Sequence, residues 1–196
     1  MKAIVQYVAT VIVGIVFLAG SAAATEKDIA AKSKGSRTDV FSEVKGESAP
    51  PKGFVNLLVR TSIKSYPEGH FAFESTPPKD GYAFVLNVDG QGALWKVDGQ
   101  KEATPAYDKK SKKLPEGGKG TRFTLEKKIR LAVGTHKIFL GLPEEGYSTE
   151  AAISLAEGAQ NVIEFKPVYK SHRKSVRHFA HGLSKYEVFL NGKKIK

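Results

Sequence analysis

Three histidines, His172, His178 and His181, are the first groups whose type and spacing suggest chemistry. The pair in His178-Phe179-Ala180-His181 could share a metal if the segment were helical. No carboxylate lies among them: the nearest acids are Glu164 and Glu187, and the surroundings are crowded with Lys and Arg. A crowd of cations repels another cation, so the spacing predicts no metal site, only a solvated or anion-facing segment. The same stretch suits an anion better. From Lys166 to Lys196 it carries nine Lys or Arg against the single acid Glu187. Arg173, Lys174, Arg177 and His178 are its densest part, and planar guanidinium groups can fork onto phosphate or carboxylate oxygens. A second cluster, Lys109, Lys110, Lys112 and Lys113, stands in Asp108-Lys109-Lys110-Ser111-Lys112-Lys113. These eight residues are the candidate ligand-binding set. The bland reading of both clusters is a solvated connector between strands.

Other chemistries find no footing. The chain has no Cys and no Gly-x-Ser-x-Gly elbow, and Ser65, Ser148 and Ser154 have no recognisable base motif around them. Glu144-Glu145 sits in a turn of Pro and Gly, where solvent gives no reason for a raised pKa. The expectation is therefore a protein without catalytic residues or cofactor. Trp95, with Tyr82 and Tyr107, could stack a sugar ring, but Trp95 holds an apolar-preferring strand position and is expected in the core.

The elements that position these groups are read from the apolar period. Tyr82, Phe84, Leu86 and Val88 alternate with Ala83, Val85 and Asn87, and the run stops at Asp89-Gly90, which is strand chemistry. Short runs of the same kind recur at Phe54 to Arg60, His70 to Phe73, Ala93 to Val97, Lys128 to Val133, His136 to Leu140, Ala151 to Leu155, Val162 to Phe165 and Tyr186 to Leu190. Closely spaced turns separate them, Asp98-Gly99, Glu145-Gly146, Glu157-Gly158 and Asn191-Gly192 among them. Many short strands with such turns predict a single all-β domain, a small sandwich of Greek-key type, over residues 53–196. Ala106 to Lys119 breaks the pattern and reads as an exposed basic loop.

Ahead of the domain, Lys2 precedes a charge-free run from Ala3 to Gly20, and Ala22 and Ala24 give the small-x-small pattern of a signal peptidase site. Residues 1–24 are expected to be a signal peptide cleaved after Ala24. The competing reading is an uncleaved anchor, through which residues 3–20 would attach the chain to a membrane. Residues 25–52 are poor in large apolar side chains and are expected to be a flexible linker. Without Cys, neither a lipid thioether nor a disulfide is open to the chain, so burial must hold the fold together. A net charge of +11 favours acidic partners.

Gly92-Ala93-Leu94-Trp95-Lys96-Val97-Asp98-Gly99, continued by Ala103-Thr104-Pro105, resembles the start of a PEGA domain. The second half is also similar: Gly134-Thr135-His136 stands ahead of a strand and is followed by Glu145-Gly146-Tyr147. The resemblance spans about residues 91–167, with the basic C-terminal stretch as an extension. Asp89-Gly90-Gln91 stands where the eponymous Pro-Glu would be, Glu102 replaces a frequent glycine, and the basic loop is an insertion. What the resemblance implies is a β-sandwich of the bacterial envelope, used for binding or spacing and without chemistry of its own.

Together these readings predict an exported, periplasmic or envelope module without enzymatic activity. Its basic loops would contact an anionic envelope glycan, lipid headgroups or an acidic protein face, with nucleic acid disfavoured by export. The alternative is an assembly protein whose strand edge at Tyr186 to Leu190 pairs with a partner strand.

Overall fold

The computed structural model describes residues 26–65, 81–112, 114, 116–158, 161–169 and 183–196, and the account below concerns these. The expected signal segment, the run His70 to Phe73 and the three clustered histidines lie outside them.

Period-two sequence becomes two packed sheets, as the alternation predicts. Elements in chain order are α1 (Glu26–Lys34), β1 (Phe41–Glu43), β2 (Phe54–Ser65), β3 (Tyr82–Val88), β4 (Gln91–Val97), β5 (Gly99–Thr104), β6 (Gly118–Ala132), β7 (Gly134–Leu142), a 3-10 turn (Pro143–Glu145), β8 (Tyr147–Leu155), β9 (Asn161–Tyr169), β10 (Leu183–Leu190) and β11 (Lys193–Lys194). The larger sheet has the order β1-β6-β2-β9-β10-β11, with β5 also pairing β6; the smaller is β4-β3-β7-β8. All pairings are antiparallel except β2 with β9, where Leu57 stands beside Asn161 and Thr61 beside Phe165. Inner faces interlock in one core. Leu57, Val59, Ile63, Leu125, Ile129, Ile163 and Phe165 come from the larger sheet, and Tyr82, Phe84, Leu86, Val88, Ile138 and Leu140 from the smaller. Tyr82 meets Phe84 edge-on at 5.1 Å and Phe123 at 5.4 Å, which ties the sheets through aromatic contact. Trp95 joins this core as expected and donates its indole N–H to Glu43 at 2.6 Å.

Two expectations need correction. Residues 26–52 are folded onto the sandwich and are not a linker. Every residue of β3 is buried, because its second face lies beneath α1, where Ile29 meets Val85 and Phe139 in a small core of its own. Backbone does the rest. Asn87 Nδ2 donates to the Lys32 carbonyl at 2.8 Å, and Ser36 N–H donates to the Gly90 carbonyl at 2.7 Å. A Cβ on Gly92 would overlap the carbonyl oxygens of Lys32 and Ser33, so the helix end fits only against glycine. Further along, Gln91 Oε1 accepts the N–H groups of Val40 and Phe41, which seats Phe41 in the main core and lets β1 pair β6. Composition missed this because one isoleucine makes no apolar stripe.

The second correction concerns Asp98-Gly99. It is not a reversing turn, and Gly99 is not among the residues with positive φ. The chain runs on from β4 into β5 and crosses from the smaller to the larger sheet. Small size is what Gly99 supplies, since a Cβ there would meet the Phe123 ring at 2.7 Å. Asp89-Gly90 is a true two-residue hairpin turn, with both φ positive at 47° and 94°.

Candidate functional site

Strand direction sorts the connections into two ends. The turns at 89–90, 133 and 191–192 lie at one end and are short. At the other end β2 finishes at Ser65, β5 at Thr104 and β9 at Tyr169, while β6, β3 and β10 begin at Gly118, Tyr82 and Leu183. The three longest connections, 66–81, 105–117 and 170–182, therefore leave and rejoin the sandwich at the same end. Both basic clusters singled out in the sequence belong to two of them.

The connection 105–117 is built from its own residues. Asp108 Oδ1 accepts the N–H groups of Lys110 at 2.8 Å and Lys112 at 2.9 Å, and Asp108 N–H donates to the Lys112 carbonyl at 2.8 Å. Asp108 is thereby occupied with backbone, while Lys109, Lys110 and Lys112 are exposed and form no ion pair among the described residues. Tyr107, next to them in sequence, is 60% exposed. Lys113 lies outside the described residues, as do Arg173, Lys174, Arg177 and His178.

Beneath the loop lies a four-membered ionic knot. Lys64, 2% exposed, donates from Nζ to the carbonyls of Glu116 at 2.7 Å and Gly118 at 2.8 Å and pairs with Glu102 at 2.9 Å. Arg122 bonds both oxygens of Glu102 at 2.9 Å and reaches Glu116 Oε2 at 2.8 Å. The Arg122 hydrogen bonds, followed by that from Lys64, hold the Glu102 carboxyl below its usual range, and Glu102 in turn raises Arg122. Two cations against two carboxylates leave the knot neutral. Its role is to clamp the root of the loop to β2 and β6.

Beside the knot is a pocket of about 450 Å³ lined by Thr104, Leu114, Glu116, Arg122, Val168 and Tyr169 among others. It lies where the root of 105–117 meets the last residues of β9, which lead into 170–182. Tyr169 is bonded through its hydroxyl to the Lys64 N–H at 3.3 Å, and burial, then Glu116, pushes its ionisation up. Nothing in the sequence pointed to this pocket, because its residues are scattered over four elements. Only the spacing of strand ends brings them together.

Four further basic residues of the C-terminal stretch, Lys166, Lys185, Lys194 and Lys196, are engaged within the fold. Lys166 pairs with Glu164 at 3.2 Å and lies 4.6 Å above the Phe189 ring; Lys185 and Lys194 share Glu187. Lys196 Nζ donates to the Glu150 carbonyl on β8 at 2.9 Å. The edge Tyr186 to Leu190, expected to be open, is partly covered: β11 pairs Leu190 and Phe189, and Val188 donates to the Lys196 carbonyl and accepts from Ile195. No group of three or more His, Cys, Asp or Glu among the described residues is placed to hold a metal, and no helix among them is long and apolar enough to cross a membrane. The chain matches no protein-family model, no curated protein and no solved structure.

Proposed function

We propose that this chain is a non-enzymatic binding module of the bacterial envelope, which uses a staple-free β-sandwich to present cations at one end to an anionic polymer or headgroup surface. The observation that carries the reading is the convergence of strand ends on which 105–117 and 170–182 are mounted. Lys109, Lys110 and Lys112 are exposed there, as is Tyr107. Lys113, Arg173, Lys174, Arg177 and His178 belong in sequence to the same two connections. The charged floor of the pocket is neutral and bonded within itself, so selectivity for anions has to come from the rim. Phosphate and carboxylate oxygens suit that rim, and a sugar ring carrying them could also stack on Tyr107. Export is part of the proposal and rests on the Ala3 to Gly20 run with Ala22 and Ala24 behind it. The likeness to PEGA domains supports the envelope setting.

Co-sedimentation of the full chain with phosphatidylglycerol vesicles, with phosphatidylcholine vesicles as reference, and parallel retention on a phosphate-bearing polysaccharide test this. Binding to at least one anionic partner is expected, falling at least tenfold as ionic strength rises from about 0.05 to about 0.5 M. Equal binding to neutral vesicles, or retention indifferent to salt, would refute it.

A further inference from the structure

The pocket beside the ionic knot is walled by carbon and floored by charges that cancel. Leu114, a large aliphatic side chain left 36% exposed at the root of the loop, lines it together with Pro167 and Val168 from the end of β9. At about 450 Å³ the space falls within the range of roughly 300–1,000 Å³ that takes small organic molecules.

Polar groups of both kinds reach the same space. Arg122 is a donor: its Nε and Nη2 are taken by Glu102 and Glu116, while the contact of Nη1 with Ser62 Oγ is a long one at 3.4 Å. The Tyr169 hydroxyl accepts the Lys64 N–H at 3.3 Å and has its own proton still to give. Glu116 is the acceptor. Its Oε2 is bonded to Arg122, but its Oε1 is shielded from solvent and has no hydrogen-bond partner among the described residues. An orphaned acceptor is costly, and the terminal torsion of a glutamate is broad enough to turn this oxygen towards the pocket.

This combination discriminates among ligand groups. A phosphate or carboxylate in the pocket would face Glu116, and an ammonium would face Arg122. A purely apolar group would leave donors and acceptor without partners. A hydroxyl donates and accepts at once, so several hydroxyls on a ring with carbon faces meet floor and walls together. Arg122 and Glu116 are already held by the knot, so binding has little ordering to do.

We propose that the pocket is a subsite for a neutral sugar ring, whose hydroxyls bond Glu116, Arg122 and Tyr169 and whose C–H face lies on Leu114, Pro167 and Val168. In the setting of the anion-binding reading, on which the choice of polymer rests, the ligand is a glycan: its charges meet the exposed lysines and an uncharged ring fills the hollow. A lipid headgroup layer offers the first contact without the second.

The test is titration of the full chain with three neutral trisaccharides, maltotriose, cellotriose and triacetylchitotriose. Amide shifts are followed in about 0.5 M salt, where attraction to the exposed lysines is screened. At least one sugar is expected to give saturable shifts at residues 104, 114, 116, 122, 168 and 169. Leu114→Ser changes a partly exposed side chain and should leave folding intact while weakening the sugar about tenfold or more. Tyr169→Phe keeps the ring, removes the hydroxyl and should weaken it roughly fivefold or more. Both variants should still sediment with phosphatidylglycerol vesicles at low salt. No saturable shift with any of the three sugars, shifts centred elsewhere, or an affinity unchanged in either variant would overturn the subsite. Vesicle binding that persists in those cases keeps the anion-binding reading; sugar binding without salt-dependent retention on any anionic partner would support the subsite and refute that reading.

Discussion

The two ends of the sandwich solve opposite problems with the same strands. At the short-turn end, two connections are closed by local backbone geometry: Asp89-Gly90 and Asn191-Gly192 adopt the positive φ values of a two-residue hairpin. The N-terminal segment is then laid over this end and held by main-chain bonds to Gly90. At the long-connection end, order at the root of 105–117 is maintained by the buried Lys64 and the partly buried Glu102, Arg122 and Glu116. An end that presents cations needs a foundation that charges cannot pull apart, and a neutral knot of two cations and two carboxylates provides one.

The contrast can be broken from the middle outward. Phe84→Ala removes a fully buried ring shared by both ends and should cost about 3–5 kcal/mol, with denaturant midpoints falling together whichever end is probed. Glu102→Ala should be next, costing roughly 3 kcal/mol because Lys64 would be left buried without its carboxylate, with exchange protection lost first around residues 116–122. Acid should act on the same point. Glu102 titrates lower in the folded chain than in the unfolded one, so its contribution is present above the ordinary carboxylate range. It is lost as pH falls through the folded value; an acid titration of Glu102→Gln should lack this phase. Gly92→Ala should cost about 1–3 kcal/mol by pushing the end of α1 off β4, visible as lost protection at Ser36 and Arg37 while residues 105–117 are unchanged. The triple change Lys109→Ala, Lys110→Ala, Lys112→Ala should leave the melting temperature where it is and weaken retention on an anionic surface. A melting shift as large as that of Glu102→Ala would mean that these lysines are structural.

Much of this architecture is legible in the sequence, and the illegible parts share a cause. Strand β3 is visible residue for residue because its large apolar residues Tyr82, Phe84, Leu86 and Val88 recur at every second position and the run ends at a hairpin turn. Strand β6 is visible only from Lys128 onward, since Gly118 to Arg122 is made of small and charged residues, Phe123 and Leu125 alone are too short a run to register, and this half gains its strand form by pairing with β2 and β5. Strands β1 and β11 are too short for any period to register, and α1 docks through one isoleucine and its own carbonyls. The same holds for the candidate site. The basic clusters announce themselves by charge, but the pocket beneath them draws on β5, β6, β9 and the loop between, and the side-chain partners of Lys64 lie 38 to 54 positions away. Local pattern records what a residue does to its neighbours in sequence; a buried ion pair records what the fold brings to it.

Backbone amide shifts of the full chain, followed while pyrophosphate is added at low salt, test most directly the claim that one end binds anions. The account predicts movement of residues 104–117 and 167–169, stillness at 89–90, 133–134 and 191–192, and loss of the effect when salt is raised. Movement centred on the short-turn end, or spread evenly over both, would contradict it.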